Sequence, residues 1–394
     1  MSTSSLVRAP GVPRTLALAL LARIPLGAIG LLLVLQVRHL GHSYALAGVC
    51  NGACALGMAV GSPILGRMID RVGQAPVLLS TGGAVAAAAA AFAGLPSATP
   101  WWAFIVLAAA VGVVQPPVGS CARVLWRRLL GDRGFSQLVT LDASLQELAF
   151  MLGPLLLVGV ATLAGAAAAI LLTGVLLGTA TACFAMLSET QRLGGPAPAA
   201  LPGAASGWRT GPLGVAGVRS LLAIALLMGV AFGATELGII TVADAHGASG
   251  AAGVLFALWG IGSFGGGLWW ARHHGAREPV RSMLVLLLVL GVASAALAAV
   301  PGLWPLGAGL AVAGAAVAPL FGVLYGAMAT VAPPATLTEA YTWETSAITG
   351  GIALGSAAAG ALAGALTPSS TFLVAGAGFL LGAAVLVPRR ATLR

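Results

Sequence analysis

The chain has 394 residues, 59% of them hydrophobic and 7% charged, with a formal charge of +9. Soluble domains average about 25% charged residues, and a water-soluble chain of this make-up could not cover its own surface. Cytosolic enzymes, nucleic-acid binders and disordered chains are excluded, which leaves a polytopic membrane protein.

An apolar run of about 20 residues crosses the ~30 Å hydrocarbon core as a helix. In chain order such runs fall near 15–36, 43–65, 75–95, 101–125, 138–161 and 166–187, then near 220–243, 249–271, 281–300, 303–329, 338–361 and 369–388. Their length excludes a strand barrel, whose segments alternate over about ten residues. Span one contains Arg23 and Pro25 and has no small-x-small cleavage site, so a retained helix is expected instead of a signal peptide. Cys50, Cys54, Cys121 and Cys183 all sit in apolar runs and read as small buried hydrophobes, neither a disulfide framework nor a metal site.

All nineteen bases are arginine. With both termini in the cytoplasm, sixteen of them lie inside (among them Arg8, Arg133, Arg209, Arg277 and Arg394), Arg38 lies outside, and Arg23 and Arg123 fall within spans. The basic excess is thus a topology signal and implies no nucleic-acid partner. Residues 189–219, rich in Pro, Gly and Ala, read as a flexible cytoplasmic linker between a six-helix bundle at 1–188 and a second at 220–394.

The two halves repeat. A shift of 197 residues lays Asp142-Ala143 on Glu339-Ala340, Glu147 on Glu344 and Gly153 on Gly350, so two acids and a glycine recur at the same spacing on spans five and eleven. A shift of 203 lays Pro116 and Gly119 on Pro319 and Gly322 in spans four and ten. The loop after span two reads Gly66-Arg67-Met68-Ile69-Asp70-Arg71-Val72-Gly73, and the loop after span eight repeats its frame from Gly267 to Gly275, with Ala271 in place of the acid.

The motif Gly66, Asp70, Arg71, Gly73 between spans two and three resembles the loop motif of the major facilitator superfamily. Its duplicated six-plus-six design agrees with the helix number, orientation and linker here. The resemblance implies an all-α fold of twelve transmembrane helices in two pseudo-symmetric bundles. It also implies a cytoplasmic gate, for which Gly66, Asp70, Arg71, Gly73, Arg123 and Asp142 are the candidates. Gly153-Pro154 is similar to that superfamily's antiporter glycine-proline motif.

Charge inside hydrocarbon costs roughly 2.5–3.5 kcal/mol on insertion scales, so each intramembrane charge is a functional candidate. Spans three, six, nine and twelve carry none in their interiors, as the resembling fold requires of helices outside the cavity. Arg23 lies about nine residues into span one, and Glu147 and Glu344 a similar distance into spans five and eleven. Arg23 is expected either to contact substrate or to hold a carboxylate, with an Arg23–Glu147 pair as the structural alternative. Glu147, Glu236 and Glu344 are candidates for proton coupling, because a carboxylate that moves between wet and dry surroundings can take a proton on one side and release it on the other. Asn51, Gln115, Trp259, Tyr325 and Trp343 join Arg23, Glu147 and Glu344 as candidate substrate contacts. Three acids against one arginine favour a cationic or neutral substrate. Pro116-Pro117 and Pro319 are expected to break spans four and ten.

No nucleotide-binding, hydrolase or zinc-protease motif occurs, the pair His273-His274 included, so no cofactor, metal or enzymatic activity is expected. The expected function is secondary active transport of a small organic solute by alternating access, coupled to protons and directed outward. The expected setting is a monomer in a bacterial plasma (inner) membrane. An importer of a nutrient or metabolite is the alternative on the same fold, and a non-transporting membrane sensor is the reading from another class.

Overall fold

The computed structural model describes residues 9–195, 211–248, 250–273 and 278–393, and only the backbone of Asp132 and Arg133. Arg8, Arg209, His274, Gly275, Arg277, Arg394 and most of the linker (196–210) lie outside the described residues. Among the described residues there is no strand. Among those residues, twelve helices are long and apolar enough to cross a membrane. They are α1 (Val12–His39), α2 (Tyr44–Val72), α3 (Gln74–Ala93), α4 (Trp101–Gly131), α5 (Gly134–Ala164) and α6 (Ala166–Met186). Beyond the linker follow α7 (Ala216–Ala245), α8 (Ala251–His273), α9 (Pro279–Leu297), α10 (Leu303–Val331), α11 (Pro334–Ala365) and α12 (Pro368–Leu393). An even number of crossings puts the starts of α1 and α7 and the ends of α6 and α12 on one face, the linker side.

Several spans are longer than the hydrocarbon alone requires, and three are broken. α4 loses helical geometry between Val113 and Val118, where Pro116 and Pro117 remove backbone donors. α10 breaks between Gly314 and Val317, just ahead of Pro319. The break in α1, at Gly27–Ala28 after Pro25, has no counterpart in α7, which runs unbroken.

Packing repeats between the bundles: α1 lies on α5 as α7 lies on α11, α2 on α4 as α8 on α10, and α3 on α6 as α9 on α12. Water drives none of this association inside a bilayer, so close van der Waals approach has to. Glycine supplies it. A Cβ added to Gly57 or Gly61 would strike the carbonyl of Ala109 or Val113 on α4; one added to Gly262 or Gly266 would strike Ala311 or Ala315 on α10. Both are small-xxx-small pairs, placed alike in the two bundles. α7 and α11 interlock in the same way, through Gly229 and Gly233 against Ile348 and Ile352, and Gly351 and Gly355 against Leu226 and Val230.

The two bundles meet mainly through α2, α4 and α5 on one side and α8, α10 and α11 on the other. The named contacts run from the linker side to mid-membrane. Gly66 admits α11, since its missing Cβ would lie 2.9 Å from the Cα of Glu339. Gly322 admits Thr140, Gly267 admits Ser144, and Gly260 takes the thioether of Met151. Ser346 donates to the carbonyl of Ala59 at 2.6 Å.

Candidate functional site

Two layers of polar contact cross this seam. The outermost lies at the linker side. Asp70, in the last turn of α2, accepts hydrogen bonds from the backbone N–H of Thr338 (3.2 Å) and Glu339 (2.9 Å), the first turn of the long helix of α11. Those amides have no partner within their own helix, and a carboxylate there both satisfies them and opposes the helix dipole. Beside it Arg67 pairs with Glu339, Nη2–Oε1 3.0 Å and Nε–Oε2 3.1 Å. Gly73, with φ 98°, ends α2 in a conformation that side chains avoid, turning the chain directly into α3. Arg127 of α4 donates to the carbonyl of Ala329 near the end of α10.

The second layer is a buried charge cluster. Arg23 of α1 makes a bidentate pair with Asp142 of α5, through Nη1–Oδ1 and through Nη2–Oδ2 at 3.0 Å. Gly119 makes the space, because a Cβ there would lie 2.9 Å from Arg23 Nη2. Arg123 of α4 approaches the same aspartate more loosely, Nε–Oδ2 3.7 Å, and its Nη2 donates to Gln146 at 3.3 Å. Its guanidinium lies flat over the Tyr325 ring of α10, 3.5 Å from the centroid, and 5.7 Å from that of Tyr341 on α11. Tyr341 in turn donates to the backbone oxygen of Tyr325 at 2.8 Å. Glu344, one turn along from Tyr341, is 1% exposed, and neither carboxylate oxygen has a hydrogen-bond partner. A buried charged group left so costs more than the ~1–3 kcal/mol of an unsatisfied neutral one, which marks Glu344 out.

Glu147 and Glu236 are half-buried on α5 and α7, within electrostatic reach of each other across the bundles. Among the described residues neither has a hydrogen-bond partner. Two small pockets lie apart from the acids: one of about 270 Å³ near Arg127, Arg128 and Pro334, another of about 460 Å³ along α8, α9 and α10 near Trp269 and Val289. No group of three or more His, Cys, Asp or Glu side chains is placed to hold a metal ion among the described residues.

The expected pairings need correction. Arg23 is held by Asp142, not Glu147. Arg123 and Asp142 belong with Arg23 in the buried cluster and not with Asp70 at the linker side. Arg71 is exposed, and the arginine that closes the seam is Arg67, which sequence reasoning assigned only to topology. Glu339 and Tyr341 were likewise not singled out; Glu339 was detectable as the first acid of the repeated pair. Gln115 is buried in the break of α4, two turns before Arg123. Trp259 packs among Phe232 and Phe256, with centroids at 6.0 and 6.5 Å. Asn51 is exposed beside Gly30, about two turns beyond Arg23. Trp343 is half-buried with its indole N–H unpartnered.

Residues 15–301 match the family model of the Major Facilitator Superfamily. The chain belongs to that superfamily. Solved structures of the same fold include the human organic anion transporter MFSD10, with TM-score 0.74, 19% identity, and cover of 96% of this chain and 100% of that one. A bacterial homologue of the iron transporter ferroportin, in its outward-facing state, has TM-score 0.76 and 15% identity, with cover of 96% and 99%. The E. coli fucose:proton symporter gives 0.73 and 13%, with cover of 96% and 98%. Comparison with curated proteins gives no sequence match. As a superfamily member with twelve spans, the protein is a multi-pass membrane transporter of small molecules.

Proposed function

We propose that this major facilitator exports a small cationic or neutral organic solute in exchange for protons. It would act as a monomer in a bacterial plasma membrane, with its linker side and both termini in the cytoplasm. The observation that carries the reading is Glu344, a fully buried carboxylate without a hydrogen-bond partner at the junction of the bundles. Such a group is stable when it binds a proton and costly when ionised, so its protonation has to follow its access to water. Glu147 and Glu236, one from each bundle, carry negative charge that no arginine pairs among the described residues, which favours a cation and disfavours an anion. The contacts at the linker side correspond to an outward-facing arrangement, with Asp70, Arg67 and Glu339 as the cytoplasmic gate. Gly66 and Gly73 shape that gate. Asn51, Gln115, Trp259, Tyr325 and Trp343 are the remaining candidates to line the substrate path.

Two structural neighbours are proton symporters, for fucose and for xylose, and the same carboxylates would serve an importer. Reconstituted vesicles test the proposal. A thermal-shift screen first finds a ligand, since a compound that binds the folded protein raises its apparent stability. Adding that ligand should then move protons, with Glu344→Gln abolishing gradient-driven transport while sparing exchange. Undiminished uphill transport by Glu344→Gln would remove it from the coupling role, and failure to move any bound ligand under any imposed gradient would sink the transporter assignment for that ligand class. Proton movement in the direction of solute movement would decide for the importer.

A further inference from the structure

Hydrogen-bond accounting in the buried seam leaves one charged donor and one charged acceptor incomplete. Among the described side chains, the enclosed charged atoms without a partner are Arg123 Nε and both oxygens of Glu344. They belong to opposite bundles. Each group is the chemical complement of the other, and Arg123 already reaches across the seam, lying over Tyr325 and near Tyr341, one turn from Glu344. Its hold on its own bundle is loose: 3.7 Å to Asp142, too long for a hydrogen bond, and 3.3 Å to Gln146. Asp142 does not depend on it, because Arg23 occupies both of that aspartate's oxygens.

We infer that Arg123 is a partner-switching residue: it bonds Glu344 across the seam when Glu344 is ionised and withdraws to Asp142 and Gln146 when Glu344 is protonated. This rests on the proposed role of Glu344 as proton acceptor, and adds the group through which its proton acts on the gate. Among the described residues, the other ions near Glu344 are already engaged. α1 and α5 present Arg23 and Asp142, bound to each other; α10 and α11 present Tyr325 and Tyr341. α2 presents Arg67 and Asp70, engaged with Glu339 and the α11 amides, α7 presents Glu236, within electrostatic reach of Glu147, and Arg127 of α4 bonds Ala329. With Glu344 ionised, the cluster of Arg23, Arg123, Asp142 and Glu344 is neutral and its two bundles are tied. With Glu344 protonated, the tie is lost and the linker side is free to open. The geometry described here, Arg123 on Asp142 and Glu344 unbonded, is then the proton-loaded arrangement before opening.

The test uses the full chain in liposomes, with Cys183, an exposed cysteine, replaced by Ser and spin labels at Val72→Cys and Thr330→Cys, two exposed linker-side positions on α2 and α10. In the parent, the ratio of short to long label distance should rise with pH, by up to about tenfold per unit, the limit for one linked proton. Glu344→Gln should flatten that dependence. Arg123→Gln should flatten it too, and Arg123→Lys, which keeps the charge and the fold's balance, should weaken it without removing it. A parent-like pH dependence in Arg123→Gln, or in Arg123→Lys if the glutamine variant does not fold, overturns the switch. The two ideas fail separately: solute-driven proton movement that survives in Glu344→Gln defeats the coupling role, whereas its loss in Glu344→Gln together with parent-like distances in the Arg123 variants defeats only the switch.

Discussion

Asp142 and Glu147 are five residues apart on α5, which sets them about 140° apart around the helix. That rotation decides which of them meets Arg23, and depth along the helix does not. Counting residues from a span's edge gives depth alone, which is why Arg23 and Glu147 looked like partners in the sequence while the bidentate pair forms with Asp142. Composition and spacing mark Glu147, Glu236 and Glu344 as costly intramembrane acids, but leave Asp142 to the gate and pass over the equally buried Glu339. Asp142→Asn should destabilise the protein by about 3–5 kcal/mol, the usual cost of leaving a buried arginine without its counter-ion. Arg23→Met removes the other partner but leaves Arg123 to serve Asp142, so the loss should be smaller. Thermal or chemical unfolding in detergent measures both, and equal losses would show that Arg123 gives Asp142 no support.

At the scale of helices, the span count and the breaks in α4 and α10 follow from apolar run length and proline position. The break in α1 was less accessible, since Pro25 often sits in continuous membrane helices where neighbours satisfy the freed backbone groups. Glycine content could not tell packed glycines from idle ones either. Gly262, Gly265 and Gly266 lie within one turn of α8, yet a Cβ at Gly262 or Gly266 would strike α10 and one at Gly265 meets open space. Gly262→Ala should therefore cost about 1–3 kcal/mol from overpacking. Gly265→Ala should be neutral or gain up to about 1 kcal/mol in helix propensity. Unfolding curves that rank the two in the opposite order would refute backbone contact as the reason α8 and α10 stay together.

For the whole molecule, alternating access requires that the seam be strong enough to hold and weak enough to open. Its linker-side layer includes the Asp70 cap on α11, the Arg67–Glu339 ion pair and the Arg127–Ala329 hydrogen bond. Asp70→Ala removes the capping of α11, a change worth about 1 kcal/mol, roughly a fivefold shift in an equilibrium. Combined with Arg67→Gln, it should enrich the linker-side-open form, read as faster labelling of a cysteine introduced at Thr342, which is buried in the seam. Labelling at the parental rate would mean that the glycine-mediated approach of α2 and α11 holds the seam without them. The loop motif announced Asp70, but its partners come from the far bundle, and no reading of one segment could supply them. Arg67 and Arg71 show the same limit: four residues apart, they share one side of α2, yet Arg67 reaches Glu339 while Arg71, in the last turn, is exposed.

The repeated acid pair has one more consequence. In each bundle the first acid is bound to an arginine, Asp142 to Arg23 and Glu339 to Arg67, while the second has no hydrogen-bond partner among the described residues: Glu344 fully enclosed, Glu147 half-buried. Were Glu147 to exchange a proton as Glu344 is proposed to, the carrier would hold two exchangeable sites, one descended from each copy of the duplication. A cycle that trades one monovalent cation for two protons moves one net charge, so it is electrogenic and gains about 2.3 kcal/mol per 100 mV of membrane potential. Voltage alone, at equal pH on both sides, should then drive solute movement, and Glu147→Gln should make transport indifferent to voltage while it still responds to a pH gradient. The duplication would in that case have set not only the fold's symmetry but the carrier's current.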